Sequence, residues 1–240
     1  MPSLPEMRQA RPLEGTVSGR KQTRTYVYID GFNLYYGCFR PPAPPHWSRY
    51  KWLDLEKLCD SVTPPKNRVV AIKYYTADVK NRAPDNGQRR RQQTYLRALS
   101  TLDRVSIVKG RFLGPKVRWM PACDATGTPL GYSMPVLRTE EKGSDVNLAV
   151  DLVYDASEGQ YECAVIISND SDLLRAIRRV RDAYQKTIGI INPQRRQVSL
   201  DLSNQAHFFG RIRENALAAS QLPDEVRLGS RVIRRPREWA

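Results

Sequence analysis

Short apolar runs rich in β-branched and aromatic residues recur along this chain, and helical patterns separate each run from the next. Because the runs are apolar throughout rather than alternating with polar residues, the strands they predict should be buried on both faces. Buried parallel strands joined by helices form a sheet with helices packed on either side. We therefore predict an α/β fold of three layers, α/β/α, around a central, mainly parallel sheet. The predicted strands are TYVYI (25–29), VVAIKYYTA (69–77), VSIVKG (105–110), AVIIS (164–168) and TIGII (187–191).

The segments between these strands predict helices at 53–61, 87–100, 144–157 and 172–184, with a last helix within 198–219. Residues 1–24 mix Pro, Gly and Arg without a period and predict a flexible basic arm. Residues 211–240 predict a basic C-terminal tail, which leaves 25–210 as the folded domain. Within that domain, a Gly- and Pro-rich insertion at about 111–139 predicts a loop or a hairpin.

The chain has 39 Lys and Arg residues against 25 Asp and Glu residues, a formal net charge of +14 that favours a polyanionic partner. The charges are segregated: 66–118 holds 14 basic and 3 acidic residues, and 173–213 holds 9 and 2. Between them, 140–172 holds 9 acidic residues and one lysine. One block of like charge is commonly a solvated surface. Three blocks of alternating sign favour an enzyme that holds a cation with carboxylates and a phosphodiester backbone with Lys and Arg.

Acidic residues follow two of the predicted strands, at the edge where an open parallel sheet gathers its ligands. Asp30 ends the first strand, and Asp170 and Asp172 follow the fourth strand within four residues. An aspartate at such a junction is often only a helix N-cap. For Asp172 alone, a helix cap is as good an explanation as a ligand-binding role. Because only one carboxylate caps a helix well, the other needs a cation or a basic partner. The pair therefore favours a ligand site.

Asp145 joins this set through helical geometry. At about 100° per residue, Leu148 and Leu152 lie in a broad apolar arc of the predicted helix, and Asp145 falls inside that arc. A charged residue on the buried side of a first turn should point to the sheet edge. The alternative is a favourable interaction with the helix dipole alone. Asp151 and Asp155 fall on the opposite, polar arc and are expected to face solvent.

Converging carboxylates repel one another unless a hard cation lies between them. The sequence therefore implies Mg²⁺ or Mn²⁺ held by Asp30, Asp145, Asp170 and Asp172. Such a cation polarises a phosphoryl oxygen and helps to deprotonate a water for in-line attack. The chain has only two histidines, one in a Pro-rich loop and one near its end, which argues against a histidine-pair ribonuclease. It also lacks the GxxxxGK[ST] and GxSxG motifs of nucleotide hydrolases and serine hydrolases.

Basic residues in the flanking blocks are candidates for holding the substrate. The predicted helix at 87–100 begins with Arg89, Arg90 and Arg91, which splay over about 200° and cannot all face one ligand. Cations next to rings predict contacts with stacked, unpaired bases, although such rings more often pack in a core. The further candidates are Lys73 beside two tyrosines, Arg111 beside Phe112, Lys142 beside Gly143, and Arg175 in the basic track after Asp172.

Three segments in order, VYIDGFNLYYG (27–37), EKGSDVNLAVDL (141–152) and IISNDSDL (166–173), resemble the NYN domain, a PIN-like nuclease group that includes the LabA-type bacterial proteins. The resemblance spans roughly residues 25–210. It implies a PIN-like α/β fold that acts on RNA with Mg²⁺ or Mn²⁺. It also implies that the four aspartates form the catalytic metal-binding set and that Asn33 is an adjacent polar residue of the site. One departure is Asn169, where many relatives carry Gly. Asn tolerates a left-handed backbone better than most residues, so the turn should be preserved.

These features favour a metal-dependent endoribonuclease that hydrolyses phosphodiester bonds of single-stranded or structured RNA, with DNA left open as a substrate. The alternative from another class is a non-catalytic RNA-binding or regulatory module of the same fold, and the presence of all four aspartates argues against it. Phosphatase chemistry of the haloacid dehalogenase type is a third hypothesis. Such enzymes carry a second Asp two residues after the first, and that position is Phe32 here.

No apolar run approaches the roughly 18 residues that a membrane span needs. The first fifteen residues also lack the apolar segment of a signal peptide. We therefore expect a cytoplasmic protein without membrane contact. The sequence leaves open whether the chain forms a homodimer.

Overall fold

A computed structural model describes residues 22–81, 85–112, 116–138, 141–194 and 198–239, so the predicted arm at 1–24 lies almost wholly outside the described residues. The strands are β1 (Thr23–Asp30), β2 (Asn67–Thr76), β3 (Val105–Lys109), β4 (Arg111–Phe112), β5 (Lys116–Cys123), β6 (Pro129–Arg138), β7 (Glu141–Lys142), β8 (Cys163–Ile167), β9 (Thr187–Asn192), β10 (Phe208–Arg211), β11 (Glu225–Leu228) and β12 (Arg231–Arg234). The α-helices are α1 (Gly31–Phe39), α2 (Leu55–Val62), α3 (Gln88–Leu99), α4 (Ser144–Ser157), α5 (Leu174–Tyr184), α6 (Leu200–Gln205) and α7 (Glu214–Ala219). Short 3₁₀ helices lie at Pro45–Tyr50, Ser171–Leu173 and Arg237–Trp239. None of the helices in these ranges is long and apolar enough to cross a membrane.

Six strands form one parallel sheet in the order β10-β9-β8-β1-β2-β3. All five strands predicted from the sequence belong to this sheet. The sixth strand, β10, is absent from the prediction because its residues FFGR alternate between half-buried and exposed positions and form no continuous apolar run. Helices cover both faces of the sheet, so the predicted three-layer α/β/α fold is confirmed.

Two apolar cores lie on the two faces of the sheet, because consecutive side chains of a strand point in opposite directions. Val27 and Ile29 of β1 pack with side chains of α1, α2 and α3 on one face. Tyr28, between them, packs with side chains of α4 and α5 on the other face. The middle of β1 is therefore buried on both sides, as its uninterrupted apolar sequence predicts.

The direction of the chain across the sheet reverses beside β1. From β1 the chain proceeds outward through β2 and β3 on one side, and then crosses to β8, β9 and β10 on the other. Ligands of open parallel sheets gather at the carboxyl ends of the strands at such a switch point. Ile29 of β1 lies opposite Ile167 of β8, so Asp30 and Ser168 come next at the same edge.

Within the described residues, three antiparallel strand pairs lie outside the sheet: β4 with β7, β5 with β6, and β11 with β12. In its described part, the insertion at 111–139 contains the antiparallel pair β5 and β6, which is one of the two forms that its composition predicts. The predicted basic tail is also folded, since β11 pairs with β12. Trp239 packs against Trp52 and Tyr95, with ring centroids 6.3 and 6.0 Å apart. Composition alone does not reveal that this segment packs on the domain, because the partner rings come from distant segments. The division into domain and tail at residue 211 stays a prediction.

Candidate active site

Asp30 lies at the junction between β1 and α1 and is only 3% exposed. Its carboxylate caps α1, because Oδ1 accepts a hydrogen bond of 2.9 Å from the backbone N–H of Asn33. Oδ2 accepts a second hydrogen bond, of 3.1 Å, from the hydroxyl of Ser168. Each carboxylate oxygen has two acceptor positions. Both oxygens therefore keep capacity for a further ligand, and the cap fixes their direction.

Asp170 makes the equivalent cap after β8. Its Oδ1 accepts a hydrogen bond of 2.9 Å from the backbone N–H of Asp172. The backbone N–H of Asp170 donates to the Ser168 hydroxyl at 3.1 Å, and that hydroxyl donates in turn to Asp30. Ser168 thus links two aspartates that come from different strands. The sequence allowed Asp172 to be a helix N-cap, but in the structure Asp170 has that role.

Asp145 completes a cluster of three carboxylates. It lies in the first turn of α4 and is half-buried. One carboxylate oxygen from each of Asp30, Asp145 and Asp170 lies within 4.8 Å of the other two. This confirms that Asp145 points to the sheet edge, and three oxygen ligands at this spacing can hold a hard divalent cation. Asp172 is not part of the cluster and is exposed, so its role as a fourth ligand stays a prediction.

The electrostatics of Asp30 indicate what a cation would change. Burial raises the pKa of the Asp30 carboxyl above its ordinary value of 3.8, and the charge of Asp170 adds to this rise. Hydrogen bonds from Asn33 and Ser168 lower the same pKa. Burial is the largest of these effects, so the negative charge of the cluster is held unfavourably. A divalent cation between the carboxylates would remove that penalty.

Asn33 lies beside the cluster and organises the polar side chains around it. Its side-chain oxygen accepts hydrogen bonds from the backbone N–H of Asn169 at 3.2 Å and from the side-chain amide of Gln194 at 3.3 Å. The side chain of Asn169 donates to Gln194 and accepts from the backbone N–H of Ser199. The loops after β8 and β9 are therefore tied to the start of α1, which carries the cap of Asp30.

The turn at Asn169 forms by a different means from the one expected. Among non-glycine residues in the described ranges, only Gln185 has a positive φ, so Asn169 does not use the left-handed conformation. Its side-chain contacts hold the turn instead. Sequence reasoning also missed Ser168 and Gln194. Ser168 carried a signal, as the polar residue that directly follows a buried strand. Gln194 carried none, because its role depends on β9 lying next to β8.

Lys73 lies against α4, in a network of buried and partly buried polar groups. Its ammonium nitrogen is 2.7 Å from Asp155 Oδ2 and 3.4 Å from Asp151 Oδ2. The hydroxyls of Tyr28 and Tyr75 donate to these two carboxylates at 2.7 and 2.8 Å. The structure thus corrects two expectations. Lys73 is occupied by carboxylates rather than open to a phosphate, and Asp155 is 6% exposed rather than facing solvent.

Arg111 and Lys142 lie beside the start of α4. They are directly opposite each other where β4 pairs with β7, and both are exposed. Gly143, in the left-handed conformation with a φ of 98°, joins Lys142 to α4 and its Asp145. The structure therefore brings two predicted substrate-binding cations next to the segment that carries the third carboxylate.

The predicted arginines of α3 and α5 differ in their surroundings. The side chain of Arg91 is 13% exposed and forms ion pairs with Asp85 and with a C-terminal glutamate. The side chain of Arg90 is 80% exposed, and its guanidinium lies 3.9 Å from the same glutamate. Arg89 and Arg175 are exposed as well. Carboxylates therefore hold Arg91 away from solvent, whereas the other three arginines are exposed, Arg90 with one long ion pair.

The NYN domain profile matches residues 24–212 of the chain. The chain belongs to the NYN domain family. The match includes the three sequence segments that carry the resemblance and all three members of the carboxylate cluster. In an NYN domain, a PIN-like nuclease family, this cluster is the candidate metal centre.

A curated relative is 32% identical to this NYN protein over an alignment of 242 residues, which covers 90% of this chain and 75% of the relative. It is named 6-hydroxy-3-succinoylpyridine 3-monooxygenase HspA, from Pseudomonas putida. Among solved structures, the chain resembles a protein of unknown function from Vibrio parahaemolyticus, with a TM-score of 0.48 and 18% identity. That likeness covers 83% of this chain and 98% of the other. The relative's name is that of an enzyme whose reaction is not nucleic acid hydrolysis.

Proposed function

We propose that this NYN-domain protein is a metal-dependent endoribonuclease that hydrolyses phosphodiester bonds of RNA. One observation carries the proposal: Asp30, Asp145 and Asp170, from three separate segments, bring carboxylate oxygens within 4.8 Å of one another at the switch point of the sheet. A bound Mg²⁺ or Mn²⁺ would polarise the scissile phosphate and lower the pKa of a water. The family supports the same chemistry, since the NYN domain is a PIN-like nuclease family.

The surrounding residues hold the carboxylates in place before any ligand arrives. The backbone N–H of Asn33 and the hydroxyl of Ser168 orient the Asp30 carboxylate. The backbone N–H of Asp172 orients Asp170 in the same way. Charged groups that are already fixed in direction do not have to rearrange during the reaction, and this is a major source of catalysis.

Exposed cations near the cluster support RNA as the substrate. Arg211 and Arg213 line a groove that reaches Gln194. Gln194 donates a hydrogen bond to Asn33, so this groove ends beside the carboxylate cluster. The exposed cations of β4 and β7 lie at the start of α4. We propose that these two groups of cations hold the phosphates on either side of the scissile bond.

Cleavage of labelled single-stranded RNA tests the proposal. The protein should cleave with Mn²⁺ or Mg²⁺ and not with EDTA. Asp145→Asn and Asp170→Asn should each lower the rate by about 10²- to 10³-fold, the scale of losing one preorganised electrostatic contact in an active site. Asp103→Asn is the matched control, because Asp103 is exposed in the turn before β3, at the opposite edge of the sheet. Circular dichroism would show that all three variants fold.

Undiminished cleavage in either cluster variant contradicts the proposed mechanism. RNA binding without cleavage across a series of divalent metals would favour the alternative, a non-catalytic RNA-binding module. Parallel reactions with single-stranded and duplex DNA distinguish RNA from DNA as the substrate. Asp172→Asn in the same assay tests the predicted fourth ligand.

The curated relative supports a second candidate function. Identity of 32% over 90% of this chain is enough to propose related chemistry here. The second candidate is oxygenation of a pyridine ring that carries an acidic side chain, as in the relative's name. The test is incubation with 6-hydroxy-3-succinoylpyridine, O₂ and a reduced nicotinamide nucleotide, with mass spectrometry for consumption of the pyridine that requires both O₂ and the nucleotide. Turnover of this compound without RNA cleavage would replace the nuclease proposal.

A further inference from the structure

A separate cleft begins one residue beyond Asp30. It lies between α1, α3, the end of β2 and the C-terminal 3₁₀ helix, and it encloses about 930 Å³ including its open mouth. Gly31 and Phe32 line it, so the cleft adjoins the carboxylate cluster along the chain. None of the three cluster carboxylates lines it. The metal chemistry proposed above therefore leaves this cleft without a role.

Aromatic rings form the walls of the cleft. Tyr35, Tyr74, Tyr95 and Trp239 all line it. Tyr95 and Trp239 meet edge to face with their centroids 6.0 Å apart, and Tyr35 meets Phe39 in the same way at 6.0 Å. Rings braced by such contacts keep their faces in place. Walls of this kind suit a planar ring, which gains contact area and stacking.

Cations line the same cleft and exceed its acids. Lys51 and Arg40 lie 5.7 and 5.8 Å from the centroid of the Tyr35 ring. Neither forms a salt bridge within the described part of the chain, whereas Asp85, the one acid that lines the cleft, is paired with Arg91. Burial and the charges of Arg40 and Arg91 lower the pKa of Lys51. The lining therefore has three cations, Arg40, Lys51 and Arg91, against one carboxylate, and its net charge is positive.

We infer that this cleft binds an aromatic ring that carries an anionic group, with the ring against Tyr35 and the anion at Lys51 and Arg40. Two sources share this chemistry: the base and phosphate of a nucleotide within RNA, and a free aromatic acid. The nucleotide source rests on the proposed function, because it would place one unpaired base of the substrate beside the carboxylate cluster. Binding itself needs no metal, so it can be measured without cleavage.

Equilibrium binding in EDTA tests the inference. The probes are AMP and UMP with their uncharged nucleosides, and pyridine-3-carboxylate with its uncharged carboxamide. Each anionic probe of the correct class should bind about tenfold more tightly than its uncharged counterpart, the scale of one charge-assisted hydrogen bond. Lys51→Met and Tyr35→Leu should each remove about that much affinity, and Tyr35→Phe, which keeps the ring, should bind normally. Lys66→Met is the matched control, because Lys66 is exposed in the turn before β2.

Preferential binding of the nucleotides assigns the cleft to RNA, and preferential binding of the pyridine acid assigns it to a free aromatic acid. Equal binding of charged and uncharged probes, no binding by any probe, or unchanged binding in Lys51→Met overturns the inference. Asp170→Asn should bind the probes like the wild type while failing to cleave RNA, because Asp170 does not line the cleft. Failure of the proposed RNA cleavage and failure of the proposed ligand binding in the cleft can therefore be told apart.

Discussion

Asp30 combines roles that ordinarily fall to different residues. It ends β1, caps α1 and is the most buried member of the carboxylate cluster. Burial of a carboxylate is unfavourable, and the hydrogen bonds from Asn33 and Ser168 offset only part of the penalty. The buried Asp30 carboxylate therefore lowers the stability of the fold, as residues of ligand-binding sites commonly do.

Asp30→Asn should stabilise the metal-free protein, because asparagine also caps helices well and carries no charge. The raised pKa of Asp30 means that the folded protein binds this proton more tightly than the unfolded chain does. The wild type therefore loses stability as the pH rises through that pKa. In EDTA at neutral pH, the variant should melt a few degrees above the wild type. The gap should close as the pH falls toward 3.8.

The same two proteins provide a test of metal binding. A ligand that binds only the folded state raises its stability, so Mg²⁺ or Mn²⁺ should raise the melting temperature of the wild type and barely change that of Asp30→Asn. A variant less stable than the wild type at every pH would show instead that the charged carboxylate stabilises the fold.

Helix α1 approaches its neighbours closely at two glycines. A Cβ on Gly31 would lie 2.6 Å from the carbonyl oxygen of Tyr75 and 2.7 Å from Cζ of Tyr74. A Cβ on Gly37 would lie 2.9 Å from the carbonyl carbon of Pro193. These contacts leave no space for a side chain. The contact at Gly31 holds the start of α1, where the Asp30 carboxylate caps the helix, against the end of β2.

Gly31→Ala should therefore lower the free energy of unfolding by about 1–3 kcal/mol, the usual penalty for forcing a methyl group into a packed site. RNA cleavage should fall as well, because α1 has to shift away from Asp30. Urea denaturation and the cleavage assay measure the two effects. Wild-type stability in this variant would show that α1 moves freely relative to β2.

The network around Lys73 ties α4 to the sheet, and with α4 it positions Asp145. Lys73→Met should lower the free energy of unfolding by about 3 kcal/mol, because it leaves the buried Asp155 carboxylate without its cation. Adding Asp155→Asn to that variant should recover part of the loss, which a double-mutant cycle measures. A Lys73→Met protein of normal stability that binds RNA weakly would restore the phosphate-binding role predicted from the sequence.

Across the whole molecule, the count of 39 Lys and Arg residues overstates the number of cations available to RNA. Lys73 and Arg91 are engaged with carboxylates, and Arg104 pairs with Asp60 and Glu56. The exposed cations beside the cluster are the ones expected to contact phosphates. Affinity for RNA should then depend on a few identifiable residues rather than on the total charge.

The salt dependence of RNA binding tests this, with Asp170→Asn as the background to prevent cleavage. The logarithm of the binding constant should fall linearly with the logarithm of salt concentration. Arg111→Ala and Lys142→Ala should each reduce the slope by about one. Arg68→Ala, an exposed arginine at the amino end of β2, should leave the slope unchanged. Fluorescence anisotropy measures the slopes, and equal slopes in all variants would argue against the assignment.

By itself, the sequence determined five of the six strands of the sheet and all three members of the carboxylate cluster. A buried parallel strand shows as an apolar run, and the aspartates that follow β1 and β8 meet because parallel strands end at one edge. Helical periodicity placed Asp145 at the same edge. These are local signals, and the geometry of the fold class brings them together without further information.

Only the tertiary structure decided which charges are free and where a ring can bind. A lysine beside two tyrosines has the same sequence pattern whether it faces RNA or two carboxylates, and Lys73 has its partners on α4, more than seventy residues away. The cleft near Lys51 likewise needs Trp239, from a segment predicted as a tail. The physical reason is the same in both cases. The charge and exposure of a side chain depend on partners that folding brings from distant parts of the chain, and local pattern does not encode them.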